Sequence, residues 1–412
     1  MKASPEPALL LSRLRQQADV EGARIAMVDQ HSGRRFDYRS VVDTIDQCAR
    51  RISEQTADRR FVAHGRTTPI SLLVFLSLWS AGRSTVFVSE RLTEAEIERI
   101  RVETDASVLD VEGVVVRQVD RDDSDPVQSP PREEIDGPRQ GELLVICTSG
   151  TSGNPKILSH SVASRMSFVH GVIDVFKLSS HDRYLSLIPT AHSSGLAFSL
   201  AHLYVGAEVH STDSRDGDGI LAAVERGEIT TLLVVPTLLE RIAAAPNARE
   251  RLESVRLIVS MGARLDPLRQ AELSDQLSCP VHQYYGSSET SFLAVLAPDD
   301  ARNVASDVCG RPTPGTEVRL SHEDELGMRT LQVRTPRAAT HRILNRKQIM
   351  FGEWISTGDL ADLDEDGFIH LLGRSDGLII SGGLNIDPEE VVEVISRHDD
   401  VVDVAVFGRE SN

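Results

Sequence analysis

Residues 148–156 combine small, hydroxylic and glycine residues with a single lysine, in the order Thr-Ser-Gly-Thr-Ser-Gly-Asn-Pro-Lys. The apolar run 143–147 precedes them and is long enough for a buried strand. Glycines let the backbone approach a ligand closely, hydroxyls and free N–H groups donate hydrogen bonds, and Lys156 adds positive charge. This combination predicts a loop that holds nucleotide phosphates. It is not a Walker A loop, because Gly150 and Gly153 are too close together and no Gly-Lys-Ser/Thr sequence opens a helix.

The order of these residues separates the loop from an ordinary serine–glycine surface turn, which the composition alone would favour. The loop resembles the phosphate loop of the adenylate-forming superfamily: acyl-CoA synthetases, peptide-synthetase adenylation domains and luciferases. In one departure from the family pattern, Ile157 stands where glycine usually follows the lysine. The resemblance implies a catalytic role for Lys156. It also implies that ATP or AMP binds to Thr148, Ser149, Gly150, Thr151, Ser152, Gly153 and Lys156.

Two loops downstream resemble the family's acid-binding segments. A histidine in a loop, as in IPTAHSSGLA (188–197), is more often structural than catalytic, but the resemblance implies that His192 lines the acid pocket beside the reacting carbon. SMGAR (260–264) could be an ordinary strand-to-helix loop, yet it resembles the segment that borders adenine through Gly262 and Ala263. An inward Met261 would shorten the pocket and favour a small or aromatic acid. The implied pocket residues are His192, Ser193, Gly195, Met261, Gly262 and Tyr284.

QYYGSSETS (283–291) is either a tyrosine-rich strand end with a serine cap or the family's Tyr-Gly-x-(Thr/Ser)-Glu segment, which it resembles closely. The resemblance implies that Tyr285 packs on adenine, that Ser288 contacts phosphate and that the catalytic residue Glu289 helps to hold Mg²⁺. An aromatic face suits a base, and a carboxylate oxygen suits a hard cation. Gly286 and Ser287 complete this part of the implied nucleotide site.

The last segments resemble the family's ribose-binding and hinge regions. An aspartate after Thr-Gly could merely cap a turn, but the resemblance implies that Asp359 accepts hydrogen bonds from both ribose hydroxyls. It implies that Arg374 lies near the ribose and phosphate, and that Asp376 is the hinge of a swinging C-terminal domain. The thiol-acceptor side would be formed by Ser381, Gly382 and Gly383. The sequence IISGGLNIDPEEV (379–391) resembles the corresponding segment of acyl-CoA synthetases more than that of peptide-synthetase domains.

The formal net charge is −18, from 62 acidic and 44 basic residues. This charge argues against nonspecific binding of nucleic acids or anionic membranes, and anionic substrates must therefore meet local positive groups, backbone dipoles or a divalent cation. The 4 cysteines form no CxxC pair, so neither structural zinc nor a disulfide framework is expected. With no signal peptide or membrane-spanning run, we expect a cytoplasmic protein with no nucleic-acid partner and no membrane insertion.

The apolar pattern predicts the elements that position these loops. We expect an amphipathic helix at 37–55, a buried helix at 71–82 and a strand at 85–89. Further short strands are predicted at 184–189, 231–236 and 256–260, with helices between them, one beginning at Asp266-Pro267. Alternating helices and strands indicate an α/β fold with a largely parallel sheet. The acidic, proline-rich segment 120–142 is expected to be an exposed connection.

From the pattern and the resemblance we expect a large N-terminal domain of two packed α/β sheets with a small β subdomain, followed by the start of a small α+β C-terminal domain. The large adenylation domain would span 1–375, with the β subdomain at about 300–375, and the swinging domain would begin at 376. Residues 376–412 read as an incomplete domain. No lysine follows Lys347, although the family's C-terminal domain supplies one to adenylation. We therefore expect this chain to bind ATP and acid but to adenylate weakly.

The implied activity is ATP-dependent activation of a small-molecule carboxylic acid to an acyl-adenylate, with pyrophosphate release and transfer to a thiol. ATP, Mg²⁺ and coenzyme A would be required. Two alternatives stay open. One is a stand-alone adenylation enzyme that loads the phosphopantetheine of an acyl carrier protein. The other, of a different class, is a non-catalytic module that binds ATP or an acyl-adenylate.

Overall fold

A computed structural model describes residues 10–107, 110–119, 141–148, 156–323 and 328–375, and isolated backbone stretches beyond. The stretches are 379–381, 384–386, 391–392, 395, 401, 404 and 406. Several predictions lie outside the described residues: the phosphate-loop residues Ser149 to Gly153, the hinge Asp376, the glycines Gly382 and Gly383, and most of the acidic connection.

Within the described residues, the helices are α1 (Leu10–Glu21), α2 (Tyr38–Gln55), α3 (Pro69–Ser80), α4 (Glu94–Thr104), α5 (Val111–Val119), α6 (Val162–Phe176), α7 (Ser193–Val205), α8 (Gly217–Gly227), α9 (Pro236–Ala243), α10 (Ala248–Arg251), α11 (Pro267–Leu277) and α12 (Pro298–Ala301).

The strands are β1 (Ile25–Asp29), β2 (Arg35–Asp37), β3 (Arg60–His64), β4 (Ser84–Val88), β5 (Glu142–Thr148), β6 (Lys156–Ser161), β7 (Arg183–Ser186), β8 (Glu208–Ser211), β9 (Thr231–Val234), β10 (Leu257–Ser260), β11 (Val281–Tyr285), β12 (Ala294–Leu296), β13 (Val308–Pro312), β14 (Glu317–Leu320), β15 (Thr330–Arg334), β16 (His341–Leu344), β17 (Lys347–Met350), β18 (Ile355–Leu363), β19 (Ile369–Arg374), β20 (Ile379–Ser381) and β21 (Leu384–Ile386).

The larger sheet has 13 described strands in the order β14-β15-β18-β19-β13-β12-β11-β10-β9-β7-β8-β1-β2. Its middle part, β11-β10-β9-β7-β8-β1, is parallel throughout. From β11 to β14 every pair is antiparallel, so the segment predicted as a β subdomain continues the same sheet. The carboxyl ends of the parallel strands therefore lie along one edge, where α/β proteins bind ligands.

The smaller sheet has the order β17-β16-β6-β5-β4-β3. Strands β3, β4 and β5 are parallel, whereas β6, β16 and β17 join them antiparallel. The hairpin β16–β17 belongs to the predicted β subdomain by sequence, but it pairs with the strand that begins at Lys156. The chain segment 341–350 thus connects the two sheets.

Apolar residues cover both faces of the parallel strands. Leu257 and Val259 of β10 pack into the main core, which also includes α2, α3, α6 and α7 and reaches the smaller sheet. Ile258 points to the opposite face and packs into a second core with α8, α9 and α11. Successive strand residues point to opposite faces, so this alternation explains the nearly continuous apolar runs in the sequence. The expected α/β fold class with two sheets is confirmed.

The predicted helices are found where the structure describes them. The helix predicted at 37–55 is α2, and the carboxylate of Asp37 caps it by accepting a hydrogen bond from the Ser40 amide. Helix α3 is buried nearly throughout, as its uniformly apolar sequence predicts. Asp266 caps α11, with Pro267 as the first helical residue. The domain boundary at 375 stays a prediction.

Candidate functional site

Strands β5 and β6 flank the predicted phosphate loop. They pair antiparallel, and Thr148 and Lys156 form the last pair of the ladder, so the loop residues 149–155 connect the two strand ends. Ile157, the departure from the family pattern, is buried with Val86 and Val145 under the smaller sheet. The Ile157 side chain therefore contributes to packing. It fixes the start of β6, whose first residue is Lys156.

The turn after β11 is closed by its own hydrogen bonds. The amide of Ser291 donates to the carbonyl of Ser287 at 2.7 Å, and the hydroxyls of Ser287 and Thr290 lie 3.0 Å apart. A Cβ at Gly286 would lie 1.8 Å from the carbonyl oxygen of Ser291, so this close approach requires glycine. The turn holds Ser288 and Glu289 at the carboxyl end of the parallel sheet.

The side chains of Lys156 and Glu289 are in contact beside the turn that follows β11. The Nζ atom of Lys156 donates to Oε1 of Glu289 at 3.1 Å. The Glu289 carbonyl also accepts from the amide of Ala339 at 2.8 Å, which fixes the turn against the chain segment leading to β16. The structure thus brings together a cation and a carboxylate from two separate predicted segments.

Tyr285, Asp359 and Arg374 form a second cluster. The Tyr285 hydroxyl donates to Oδ2 of Asp359, and Nη1 of Arg374 donates to Oδ1 of the same carboxylate at 3.1 Å. Asp359 and Arg374 are register partners on β18 and β19. Burial and the neighbouring Asp359 raise the pKa of Tyr285, so the phenol keeps its proton at neutral pH and serves as a donor.

The predicted acid-pocket residues gather at the start of α7. His192 precedes the helix and makes no capping hydrogen bond with its side chain. The hydroxyls of Ser194 and Tyr284 share a hydrogen bond, and burial raises the pKa of Tyr284 to about 12. A Cβ at Gly195 would lie 2.4 Å from the carbonyl oxygen of Ile188, so the helix start can approach the preceding chain only through a glycine.

His192 is suited to a neutral role. Its side chain keeps solvent exposure, yet desolvation by its surroundings and the charge of Arg91 lower its pKa below the ordinary histidine value. The imidazole is therefore uncharged at neutral pH. This state fits a residue that lines a pocket and does not contribute a positive charge.

Met261, Gly262 and Ala263 follow β10, which is the parallel neighbour of β11. Met261 is partly buried against the main core, and its amide donates to the Val234 carbonyl at 2.9 Å. Gly262 has a φ of +85°, a conformation that favours glycine, and Gly262 and Ala263 are exposed. Because strand ends β10 and β11 are adjacent, these residues lie at the same edge of the sheet as Tyr284 and Tyr285.

Sequence reasoning missed two arginines beside this edge. Arg165 and Arg337 are buried, and both donate to hydroxyl or carbonyl oxygens. Arg165 lies in the largely apolar sequence of α6, which reads as a plain core helix. The sequence did offer one signal, which is a single arginine among the apolar residues of α6. Because arginine is almost never fully buried without partners, this arginine indicates a specific set of contacts.

The acidic residues at the site fit a magnesium ion held mainly by substrate. Across the ranges that the structure describes, no three His, Cys, Asp or Glu residues gather to form a metal site. Mg²⁺ is commonly bound by one or two carboxylates together with substrate phosphates. Glu289, with its carboxylate beside Lys156, matches that pattern. No helix in the described ranges is long and apolar enough to cross a membrane.

Comparison with known proteins places these observations in a family context. A family model described as "AMP-binding enzyme" matches residues 14–335. The 2-succinylbenzoate–CoA ligase of Listeria innocua is 28% identical over 388 residues, covering 92% of this chain and 81% of that protein. The indoleacetate–CoA ligase of Aromatoleum aromaticum is 32% identical over 290 residues, covering 68% of this chain and 56% of that protein.

Solved structures share the fold. The O-succinylbenzoate coenzyme A synthetase (MenE) of Bacillus subtilis, in complex with ATP and magnesium, superposes with a TM-score of 0.82 at 21% identity. The superposition covers 97% of this chain and 87% of the Bacillus subtilis chain. The amide bond synthetase McbA of Marinactinospora thermotolerans gives a TM-score of 0.80 at 23% identity, with 98% and 86% of the two chains covered.

Proposed function

Because this chain belongs to the AMP-binding enzyme family, we propose that it is an AMP-forming acid–CoA ligase. The observation that carries the proposal is the convergence of two polar clusters at one sheet edge. Lys156 with Glu289 provides a site for phosphates and a divalent cation, and Tyr285 with Asp359 and Arg374 provides a site for adenosine. The two clusters are joined directly through the turn that follows Tyr285.

The proposed reaction has two steps. A carboxylate oxygen of the acid attacks the α-phosphorus of ATP, the bond to the bridging oxygen breaks, and pyrophosphate leaves with that electron pair. The thiol of coenzyme A then loses its proton to solvent as its sulfur attacks the acyl carbon of the adenylate, the bond from that carbon to the phosphate oxygen breaks, and AMP leaves with that electron pair. The protein contributes mainly positioning and charge stabilisation in such chemistry.

Each cluster has a distinct task in this scheme. Lys156 would bind the β- and γ-phosphates together with the loop residues 148–155. Asp359 offers two acceptor oxygens to the two vicinal ribose hydroxyls, and Arg374 holds that carboxylate in place. Tyr285 presents its ring to adenine. Glu289 would hold Mg²⁺, which neutralises phosphate charge when bound.

We propose an aromatic acid as the substrate. The two relatives compared above are named for 2-succinylbenzoate and indoleacetate, both of which are aromatic acids. Met261 stands where the family often has a smaller residue, and its partial burial at the end of β10 is consistent with a shortened pocket. His192, Ser193, Gly195 and Tyr284 would form the remaining walls. Long-chain fatty acids would then be poor substrates.

The chain beyond Arg374 would contribute after adenylation. We propose that residues 376–412 begin a second domain that turns about Asp376 and brings Ser381, Gly382 and Gly383 toward the thiol. Such a closure separates the two half-reactions and often limits turnover. The large domain would then end near 375.

Thiol specificity separates this proposal from its alternatives. The complete product of the gene is offered ATP, Mg²⁺ and aromatic acids, with either free coenzyme A or a phosphopantetheinylated carrier protein. The proposal predicts thioester formation and AMP release with coenzyme A. Transfer to the carrier alone would favour a loading enzyme, and ATP binding without pyrophosphate release would favour a binding module.

A further inference from the structure

Arg165 is an arginine on α6 with 2% of its surface exposed. Its two terminal nitrogen atoms donate to three neutral oxygen atoms, and no carboxylate in the described part of the chain pairs with it. Burying an unneutralised guanidinium costs free energy, and these three hydrogen bonds offset that cost only in part, because the buried Nε of Arg165 has no hydrogen-bond partner among the described residues. Burial lowers the pKa of Arg165 to about 9, so the group is still charged at neutral pH.

The contacts of Arg165 join three chain segments. Its Nη1 donates to the Ser193 hydroxyl at 2.5 Å, at the start of α7 in the proposed acid pocket. Its Nη2 donates to the Ser291 hydroxyl at 2.6 Å, at the end of the turn that carries Glu289. The same nitrogen donates to the Arg337 carbonyl at 2.9 Å, in the segment that leads to β16.

Ser291 is held tightly in this arrangement. Its φ is +60°, a left-handed conformation that is uncommon outside glycine. Its hydroxyl accepts from Arg165 and donates to the Arg337 carbonyl at 2.9 Å, and its amide donates to Ser287 at 2.7 Å. The backbone conformation that closes the turn of Gly286 to Ser291 therefore depends on side chains outside the turn.

Arg337 strengthens the same connection from the other side. Its Nε donates to the carbonyl of Ser167 on α6, and its Nη1 donates to the hydroxyls of Thr313 and Thr316 at 3.0 and 2.9 Å. A Cβ at Gly171 would lie 2.7 Å from that Nε, so a larger residue there would displace the Arg337 side chain. Helix α6 is thus fixed to the turn through two arginines, of which only Arg165 also reaches the acid pocket.

We propose that Arg165 is a positioning residue that holds the acid pocket and the turn of Glu289 in one fixed relative arrangement. Its planar guanidinium presents donors at fixed angles, which a flexible lysine ammonium does not reproduce. The inference rests on the proposed ligase function, because the acid and the magnesium-bound phosphates must meet for adenylation. Small displacements between such groups reduce rates strongly.

The test is ATP–pyrophosphate exchange by the complete gene product, with benzoate, indoleacetate and 2-succinylbenzoate as candidate acids. Two half-saturation constants are measured, one for the acid that supports exchange and one for Mg²⁺. The variants are Arg165→Met, Arg165→Lys, Ser193→Ala and Ser291→Ala. Arg251→Met is the control, because it removes an arginine that pairs with Asp218 and Glu225 of α8, a helix that packs into the second core and not into the main core of α6.

We expect Ser193→Ala to raise the acid constant and Ser291→Ala to raise the Mg²⁺ constant, each by about tenfold, the scale of one hydrogen bond to a charged group. Arg165→Met should raise both constants, Arg165→Lys should restore part of the loss, and Arg251→Met should change neither. If Arg165→Met fails to fold, the double variant of Ser193→Ala and Ser291→Ala tests the inference in its place, and it should raise both half-saturation constants.

The inference is overturned if Arg165→Met leaves both half-saturation constants unchanged and lowers the exchange rate only by the fraction of the protein that no longer folds. It is also overturned if Ser193→Ala raises the Mg²⁺ constant as much as the acid constant. Absence of exchange in the unsubstituted protein contradicts the ligase function, and the inference with it. If the unsubstituted protein does show exchange, the outcomes above contradict only the role of Arg165, so the two failures are distinguishable.

Discussion

The ammonium group of Lys156 lies 3.1 Å from a carboxylate oxygen of Glu289, although 133 residues separate the two along the chain. The pair connects the first residue of β6 in the smaller sheet with the turn after β11 in the larger one. Each partner neutralises the other without ligands. With substrate bound, the phosphates would accept hydrogen bonds from Lys156 and Glu289 would hold the magnesium ion, so the ion pair would be replaced by one contact with phosphate and one with the metal.

Glu289→Gln tests the carboxylate of this pair. The amide keeps the size of the side chain but loses the charge that suits a magnesium ion. We expect the half-saturation constant for Mg²⁺ in pyrophosphate exchange to rise at least about tenfold, and the maximal rate to fall by roughly 10²-fold. Glu353→Gln is the control, because Glu353 pairs with Arg334 on an exposed surface. An unchanged Mg²⁺ dependence in Glu289→Gln would remove this residue from the metal site.

Asp359→Ala tests the ribose assignment. Both carboxylate oxygens are already hydrogen-bonded, to Tyr285 and Arg374, and are therefore fixed in direction. We expect the variant to bind ATP about tenfold more weakly, since hydrogen bonds to a charged group contribute roughly 1.5–3 kcal/mol. Equilibrium dialysis with 3′-deoxy-ATP is the matched comparison. The variant and the unsubstituted protein should differ less for that analogue, and an equal loss for both nucleotides would contradict a direct contact with the ribose.

Gly286→Ala tests the closed turn. The added Cβ would lie 1.8 Å from the backbone oxygen of Ser291, and backbone atoms cannot yield as a flexible side chain does. We expect exchange activity to fall by more than about 10²-fold, since the turn must open and displace Glu289. In Gly352→Ala the nearest atom would be 3.6 Å away, so that variant should keep its activity. Full activity in Gly286→Ala would show that the turn is not needed in this form.

The sequence indicated the secondary structure of the parallel strands well, because apolar runs such as 256–260 are buried on both faces and carry a clear signal. It also placed Lys156, Glu289, Tyr285, Asp359 and Arg374 in one expected site through family resemblance. The pairing of Lys156 with Glu289 could not be read from either segment. It depends on the two sheets meeting, which is a tertiary contact between distant parts of the chain.

The role of Arg165 shows a second limit of sequence reasoning. Nothing in the sequence of α6 tells which helix residue faces Ser193 and Ser291, because those contacts come from separate loops. The β subdomain shows a third limit. Short strands with turns between them predicted a small β subdomain but not its strand partners, and hydrogen bonding continues from it through β19, β13 and β12 into the parallel sheet. Strand partners are set by packing that local patterns do not encode.

Asp182→Asn tests an ion pair between the buried carboxylate of Asp182 and the exposed side chain of Arg256. The carboxylate accepts from Arg256 at 2.7 Å on each oxygen, from the Ser179 amide at 2.8 Å and from the Thr230 hydroxyl at 2.9 Å. Burial opposes ionisation, but the hydrogen bonds and the charge of Arg256 outweigh it and lower the pKa of Asp182. We expect the variant to lose about 1–3 kcal/mol of unfolding free energy at pH 7.

The pH dependence gives the sign of this effect. Because the folded-state pKa is depressed, the contribution is fully present above the ordinary aspartate pKa of about 4 and is lost as the pH falls through the folded value. Urea unfolding of Asp182→Asn and the unsubstituted protein should therefore differ at pH 7 and converge below about pH 4. A difference that stays constant over this range would contradict an ionised Asp182 in the folded protein.

The most direct test of the ligase function is ATP–pyrophosphate exchange by the complete gene product across a panel of aromatic and long-chain carboxylic acids, followed by addition of coenzyme A. Our account predicts Mg²⁺-dependent exchange with at least one aromatic acid, poor exchange with long-chain acids, and release of AMP with thioester formation when coenzyme A is added. ATP binding without exchange for any acid would contradict it and would identify the site as a nucleotide-binding one without adenylation chemistry.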